Sequence, residues 1–375
     1  MKVLVLGSKG FIGKNFVTWL KERRIDTLTY DKDNKLSELP SLINEADYIF
    51  DFIGANRTPK VEEFKEVNTD LTSYILSLLK ELDEHKPFIY TSSIQADNDT
   101  PYGQSKKAAE DLIFNFSKEH HYPVYVYRLY NVFGKWCKPN YNSVVATWCY
   151  NVSHNIPCEV NENNPLLKLV YIDDIMEEFL RVIKKEVKSS LTPLYVEPRY
   201  EILLHVLLDI IVGFKGKRKS LFSPLERDEL KRKLYATYLS YLDRDDFGYD
   251  LVSHTDNRGS FTEFIKTLGD GQVSIVKSHP GVVRGNHYHH TKNEKFLVVK
   301  GECEISFRKI DEDKIVTYKV DGNHLRVIDI PVGYTHAIKN VGKDDAIIVI
   351  WGSEPFDPNR PDTIALNVEK EHVEA

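Results

Sequence analysis

Hydrophobic and polar positions alternate in two different ways along this chain. In roughly the first third, short apolar runs at 3–6, 27–30, 48–53, 88–91 and 124–127 are separated by longer stretches (14–23, 69–82, 105–119) whose apolar positions recur at helical spacing. Strand and helix in strict alternation predict βαβ units and a parallel, Rossmann-type sheet, with ligands at the carboxyl ends of the strands. Residues 203–242, rich in Leu, Lys and Arg, read as a long helical stretch. Beyond it the pattern changes to short strands at 273–278, 295–299, 303–308, 325–330 and 346–351, punctuated by Gly, Asn, Asp and Pro. That rhythm predicts an all-β sandwich or small barrel. The expected organisation is an α/β domain over 1–246 and an all-β domain over 247–375, with no internal repeat.

Bulk properties agree with two domains, since 375 residues exceed one ordinary core. A net charge of -6 argues against wholesale binding of nucleic acid or anionic membrane. The cysteines (Cys137, Cys149, Cys158, Cys303) have no paired metal spacing and read as reduced thiols. The apolar run before Gly7 is too short for a signal peptide, and no later run approaches a membrane span. The expectation is a cytoplasmic protein.

Gly7-Ser8-Lys9-Gly10-Phe11-Ile12-Gly13 follows the first strand and opens the first helix. Glycines let such a turn tighten and let backbone amides at a helix start approach a pyrophosphate. Asp31, ending the second strand, can accept bonds from both adenosine-ribose hydroxyls, which favours NADH over NADPH; the plainer reading is a solvated acid. Tyr102 and Lys106 share one face of a helix. There an ammonium would lower the tyrosine pKa and let Tyr102 give a proton to a carbonyl receiving hydride. Ser93 lies where a hydroxyl could orient that carbonyl. With Asp51-Phe52-Ile53-Gly54-Ala55-Asn56, Asn68, Arg128-Leu129-Tyr130-Asn131-Val132-Phe133-Gly134 and Tyr171-Ile172-Asp173-Asp174, residues 1–245 resemble the extended short-chain dehydrogenase/reductase family, which works on nucleotide sugars. The resemblance implies a catalytic triad of Ser93, Tyr102 and Lys106. It also implies cofactor contacts from Gly7, Gly10, Phe11, Ile12, Gly13, Asp31, Tyr102 and Lys106, and substrate contacts from Arg128 and Asn131.

In the second half, Gly281, His287, His289, Glu294 and Gly301 reproduce the first motif of the cupin family. Pro331, Gly333, His336 and Asn340 match the second in part, with Leu325 where its leading glycine belongs. His287 and His289, two apart on a strand, face one side. With Glu294 and His336 they make a ligand set suited to zinc, and also to Mn, Fe or Ni. Asp256-Asn257-Arg258-Gly259-Ser260-Phe261 and Arg284-Gly285-Asn286-His287 also resemble metal-free cupin epimerases of 4-keto deoxysugar nucleotides, in which the histidine at position 287 is the base. His287 is assigned to the metal, because the other three ligands complete its set; His290 and Lys277 stand as alternative bases.

Domain order and the segments 134–143 and 285–296 resemble a family of bifunctional capsular-polysaccharide enzymes of the UDP-N-acetyl-L-fucosamine pathway. That resemblance implies homodimers with zinc in the cupin. It implies C3 epimerisation of a UDP-2-acetamido-2,6-dideoxy-4-hexulose there, then NADPH-dependent C4 reduction to UDP-2-acetamido-2,6-dideoxy-L-talose. Asp31 departs from an NADPH site. The alternatives are a reductase with a structural cupin and a dinucleotide-sensing regulator; Tyr102 and Lys106, both present, speak against the latter.

Overall fold

The computed structural model describes residues 1–160, 163–223, 228–359 and 361–370. The chain forms two compact units, Met1–Val212 with Lys233–Leu242, and Gly213–Arg232 with Asp243–Ala375. A single cut at about 246 therefore misses an excursion: residues 213–232 group with the second unit.

The first unit is built on a parallel sheet of β1 (Lys2–Leu6), β2 (Asp26–Tyr30), β3 (Tyr48–Asp51), β4 (Phe88–Ser93) and β5 (Val124–Leu129), in the order β2-β1-β3-β4-β5. The side chains of each strand alternate between two cores. Val3, Val5, Phe50 and Ile89 pack with Phe16 and Phe179 on one face. Leu4, Leu6, Ile49 and Tyr90 pack with Ile75 and Ile113 on the other. Burial of both faces is why these strands read as continuous apolar runs. The chain reverses its winding between β1 and β3, and the crevice at their carboxyl ends is the ligand position of such folds. A small sheet follows, in which β6 (Asn131–Phe133) runs parallel to β7 (Leu166–Tyr171), and β7 pairs antiparallel with β8 (Arg199–Leu203).

The helical stretch expected over 203–242 is helical but divided: β8 ends at Leu203, and the described residues after it form the helices Leu204–Lys215, Lys217–Ser220 and Glu229–Leu239. Gly216 stands between the first two, and Leu221 ends the second in a left-handed conformation (φ 62). Residues 224–227 of that stretch lie outside the described residues.

The second unit holds β9 (Ser253–Asp256), β10 (Gly259–Thr267), β11 (Gly271–Ser278), β12 (Val283–Tyr288), β13 (Glu294–Lys300), β14 (Glu302–Lys309), β15 (Ile315–Asp321), β16 (Val327–Ile330), β17 (Tyr334–Asn340), β18 (Ala346–Gly352) and β19 (Ile364–Ala365). They form two antiparallel sheets, β16-β13-β18-β11-β10-β9 and β15-β14-β17-β12-β19. Val276, Phe296, Val298, Ile305, Phe307, Ile330, Ile338 and Ile348 fill the core. The five strands expected in this region are all present. β9, β10, β15, β17 and β19 were not expected, and β12 only as a strand carrying His287 and His289; it ends at Tyr288, one residue short of His289.

Candidate active sites

The first site begins with a turn that tolerates no side chains. Gly7 takes φ +75, and a Cβ there would come 3.0 Å from the Phe52 carbonyl carbon; a Cβ on Gly13 would meet the Gly7 oxygen at 2.1 Å. No side chain caps the helix Phe11–Glu22. Gly7, Gly10, Phe11, Ile12 and Gly13 line a cavity of about 770 Å³ together with Ser93, Tyr102, Lys106 and Asn131. A bare helix start and a glycine cradle suit the pyrophosphate of a dinucleotide. Asp31 sits beside this turn, accepting from the amides of Lys9 (2.7 Å) and Lys32 (2.9 Å).

Ser93 ends β4, and Thr100 caps the helix Pro101–His120 that carries Tyr102 and Lys106 in its first turns. The Lys106 ammonium is turned inward, donating to the Tyr90 hydroxyl (3.1 Å) and the Thr91 carbonyl (3.0 Å). Burial brings Lys106 down to about 8, with Asp51 and Glu110 opposing the shift. Burial likewise lifts Asp51 to about 6, against the pull of the Ile53 amide and of Lys106. The expected lowering of Tyr102 by the ammonium is not what the geometry gives. Burial pushes the phenol up, the Ser93 hydroxyl offsets this only in part, and Lys106 faces Tyr90 instead.

Asn68 locks the loop after β3, accepting from the Ala55 amide (3.0 Å) and donating to the Ala55 carbonyl (3.0 Å) and Ser105 (2.9 Å). That loop needs Gly54, where a Cβ would lie 3.1 Å from the Lys106 Nζ. The Arg128 guanidinium is held by both Glu110 oxygens (2.9 and 2.7 Å) and by Asp97 (2.6 Å), and it does not line the cavity. Glu110 is fully buried and Arg128 nearly so, so the pair lies inside the unit. Tyr90, Glu110 and Trp136 escaped the sequence reading. The first two look like ordinary strand and helix residues, and Trp136 belongs to a segment read only as a whole.

The second site is formed across strands. β12 carries His287, a bulge between Gly285 and His287 (Asn286 φ 58) re-aims it, and β17 brings His336 alongside. His289 follows β12 and Glu294 opens β13. The ligand atoms of His287, His289, Glu294 and His336 all lie within 4.8 Å of one another. His289 Nε2 and His336 Nε2 approach Glu294 Oε2 at 3.4 and 3.5 Å. Both are buried without a hydrogen-bond partner. Orphaned imidazole nitrogens facing a carboxylate fit a divalent cation. Burial and the two neighbouring histidines lower His287 to about 4, keeping its lone pair free near neutral pH. Burial pushes Glu294 up, but the imidazoles beside it and Lys292 more than reverse this, holding the carboxyl well below its usual range.

These groups flank a cavity of about 440 Å³ with apolar walls including Phe261, Val276 and Ile348, and with Arg258, Glu263, Arg284 and Lys292 on its lining. His290 and Lys277, the alternative bases, do not line it. His290 is exposed, and Lys277 pairs with Asp345 at 2.8 Å. No helix among the described residues is long and apolar enough to cross a membrane.

Comparison with known proteins matches residues 3–192 to the NAD dependent epimerase/dehydratase family and residues 254–364 to the polysaccharide biosynthesis C-terminal domain. A Pseudomonas aeruginosa protein named UDP-2-acetamido-2,6-beta-L-arabino-hexul-4-ose reductase is 42% identical over 98% of this chain and 99% of its own length. The crystal structure of the capsular polysaccharide assembling protein CapF from Staphylococcus aureus superposes with a TM-score of 0.88 at 41% identity, covering 98% of this chain and 100% of that one. UDP-glucuronic acid 4-epimerase from Bacillus cereus shares the first unit's fold only, with a TM-score of 0.54, 16% identity, and coverage of 64% of this chain and 96% of that one. The chain belongs to the NAD dependent epimerase/dehydratase family, and within it to the two-domain proteins represented by CapF. The chain thus joins a reductase domain of the nicotinamide-dependent class to a cupin-like β domain.

Proposed function

We propose that the chain is a bifunctional nucleotide-sugar enzyme. The second unit epimerises C3 of a UDP-2-acetamido-2,6-dideoxy-4-hexulose, and the first reduces its C4 ketone to give UDP-2-acetamido-2,6-dideoxy-L-talose in UDP-N-acetyl-L-fucosamine synthesis for capsule or O-antigen. The observation carrying this reading is the coexistence of two separately built cavities, one lined by Ser93, Tyr102, Lys106 and the glycine turn, the other reached by His287 and Glu294 of an imidazole–carboxylate cluster. The full-length relative, named for reduction of a UDP-linked 4-ketohexulose, supports it.

In the first cavity Gly7, Gly10 and the opening amides of the helix Phe11–Glu22 hold the dinucleotide, and Asp31 holds its adenosine ribose. The nicotinamide supplies the hydride. Ser93 orients the C4 carbonyl and Tyr102 gives the proton to its oxygen, while Lys106 lies on the same cavity lining with its ammonium held by Tyr90 and the Thr91 carbonyl. At the second cavity, His287, His289, Glu294 and His336 would hold a divalent cation, taken as zinc, which when bound would supply a Lewis acid for the ketone. A base on the cavity lining would take the C3 proton and an acid there would return one to the opposite face; Arg258, Glu263, Arg284 and Lys292 are among the charged groups present. Chemistry sets the order: a 4-ketone acidifies the neighbouring C3–H, so epimerisation precedes the reduction that removes the ketone. A homodimer belongs to the same reading.

Incubation of the 4-ketohexulose with NADH or NADPH, with product stereochemistry read by NMR, tests it. The account predicts the talo product. A product with unchanged C3 would favour the alternative of a reductase with a structural cupin.

A further inference from the structure

We propose that Asp362, on the segment leading into β19, is the positioning residue of the four-ligand centre. Its carbonyl orients His289, and its carboxylate clamps the loop between His289 and Glu294. Resting on the metal reading above, this adds to the centre a residue outside its ligand set.

The first observation is the bond between His289 Nδ1 and the Asp362 carbonyl oxygen, 2.5 Å long. A carbonyl oxygen can only accept, so Nδ1 carries the proton. Nε2 then keeps its lone pair, and it is this buried, unpartnered atom that faces Glu294. The bond thus fixes both the ring's tautomer and its angle, as outer partners of metal-binding histidines do.

The second observation is independent of that carbonyl. One carboxylate oxygen of Asp362 accepts from the His290 amide (3.0 Å); the other accepts from the amides of Thr291 (2.9 Å) and Lys292 (2.8 Å) and from the Thr291 hydroxyl (3.0 Å). Three successive amides and a hydroxyl converge on one side chain, so the whole connection from His289 to β13 is pinned to it. The clamp is anchored in turn. β19 pairs with β12 at His287↔Ala365, the Leu366 amide donates to the Asn286 carbonyl (2.9 Å), and the buried Arg308 donates to the carbonyls of Asn367 and Val368 (both 2.7 Å). Residues near the C-terminal end of the described chain therefore hold two ligand-bearing segments in register.

Asp362 lies at φ 36, a left-handed conformation that Asn and Gly also accept. D362N and D362G therefore change the carboxylate without imposing backbone strain. The full-length protein is stripped with a chelator and titrated with Zn2+ against a chromophoric competitor, and the histidine ring nitrogens of the stripped protein are read by 15N NMR. Wild type is expected to take up Zn2+ and to show His289 as the Nδ1–H tautomer. D362G keeps the main-chain carbonyl but loses the clamp that holds it against His289, so it is expected to bind Zn2+ about 10-fold more weakly, the lower end of the loss when an outer partner is displaced, and to show a mixture of His289 tautomers. D362N, which keeps one acceptor oxygen, should fall between them and serves alone if D362G does not fold. Both variants folding with unchanged Zn2+ affinity and an unmixed tautomer would overturn the clamp. A wild type that takes up no Zn2+ overturns the metal reading instead, and the ring spectra of the same proteins then decide the clamp separately.

Discussion

The cavity of the first unit and that of the second draw their chemistry from different parts of the chain. In the first, the glycine turn, Ser93 and the Tyr102–Lys106 pair each come from one continuous segment, and local geometry alone gives each its role. In the second, the ligands belong to β12, β13 and β17 or their flanks, and only register brings them within 4.8 Å. The first site also rests on buried charged residues, Asp51 and Lys106 with Glu110 and Arg128, whereas the second sets charged side chains (Arg258, Glu263, Arg284, Lys292) on the lining of a cavity with apolar walls. The contrast suits the proposed reactions. Hydride transfer needs a long, partly polar groove for two nucleotides, and proton exchange beside a ketone needs a smaller cavity with charged groups at hand.

The division of labour breaks most visibly at Tyr102. Tyr102→Phe is expected to slow NAD(P)H oxidation by about 10²–10⁴-fold, the usual weight of a positioned proton donor, with C3 exchange in deuterated water intact. Loss of both would merge the two sites. His336→Ala should do the converse, slowing exchange by several kcal/mol, on the order of 10²-fold or more, while reduction of an already epimerised ketone continues. For the buried charges of the first unit, Glu110→Ala offers a stability test. Removing one partner of a buried ion pair costs about 3–5 kcal/mol, measurable by urea unfolding.

How far each site could be read from the chain follows from the same contrast. Contiguous motifs announced Gly7, Gly13, Tyr102, His287 and His289, because these residues stand among neighbours in sequence, and a second, partial motif announced His336. For Arg128 the motif gives position along a strand but not the partner across the core, here Glu110 on a distant helix. Asp362 was invisible, because its bonds to residues 290–292 span about seventy positions and its neighbours carry no pattern. The helical stretch 203–242 was over-extended because composition does not show where Gly216 and Leu221 break it.

Smaller effects sharpen the picture. Asp51 has a folded pKa of about 6, above its ordinary value, so the native state binds the extra proton. Its contribution is complete below about pH 4 and is lost as pH rises through 6. Asp51→Asn should flatten that part of the stability–pH curve, and an unchanged slope would remove Asp51 from the account. Lys106 acts oppositely: its folded pKa of about 8 is depressed, so stability rises with pH above 8. Asp31→Ser should weaken NADH binding roughly tenfold, the worth of a charged hydrogen bond, and narrow any preference over NADPH.

The central claim, that one chain exchanges the C3 proton at one site and reduces C4 at the other, is tested most directly in deuterated water. The 4-ketohexulose is incubated first without dinucleotide and then with NADPH, and the product is read by NMR. The account predicts deuterium at C3 before any reduction, and a talo-configured product carrying it afterwards. Reduction that proceeds with protium retained at C3 would contradict it.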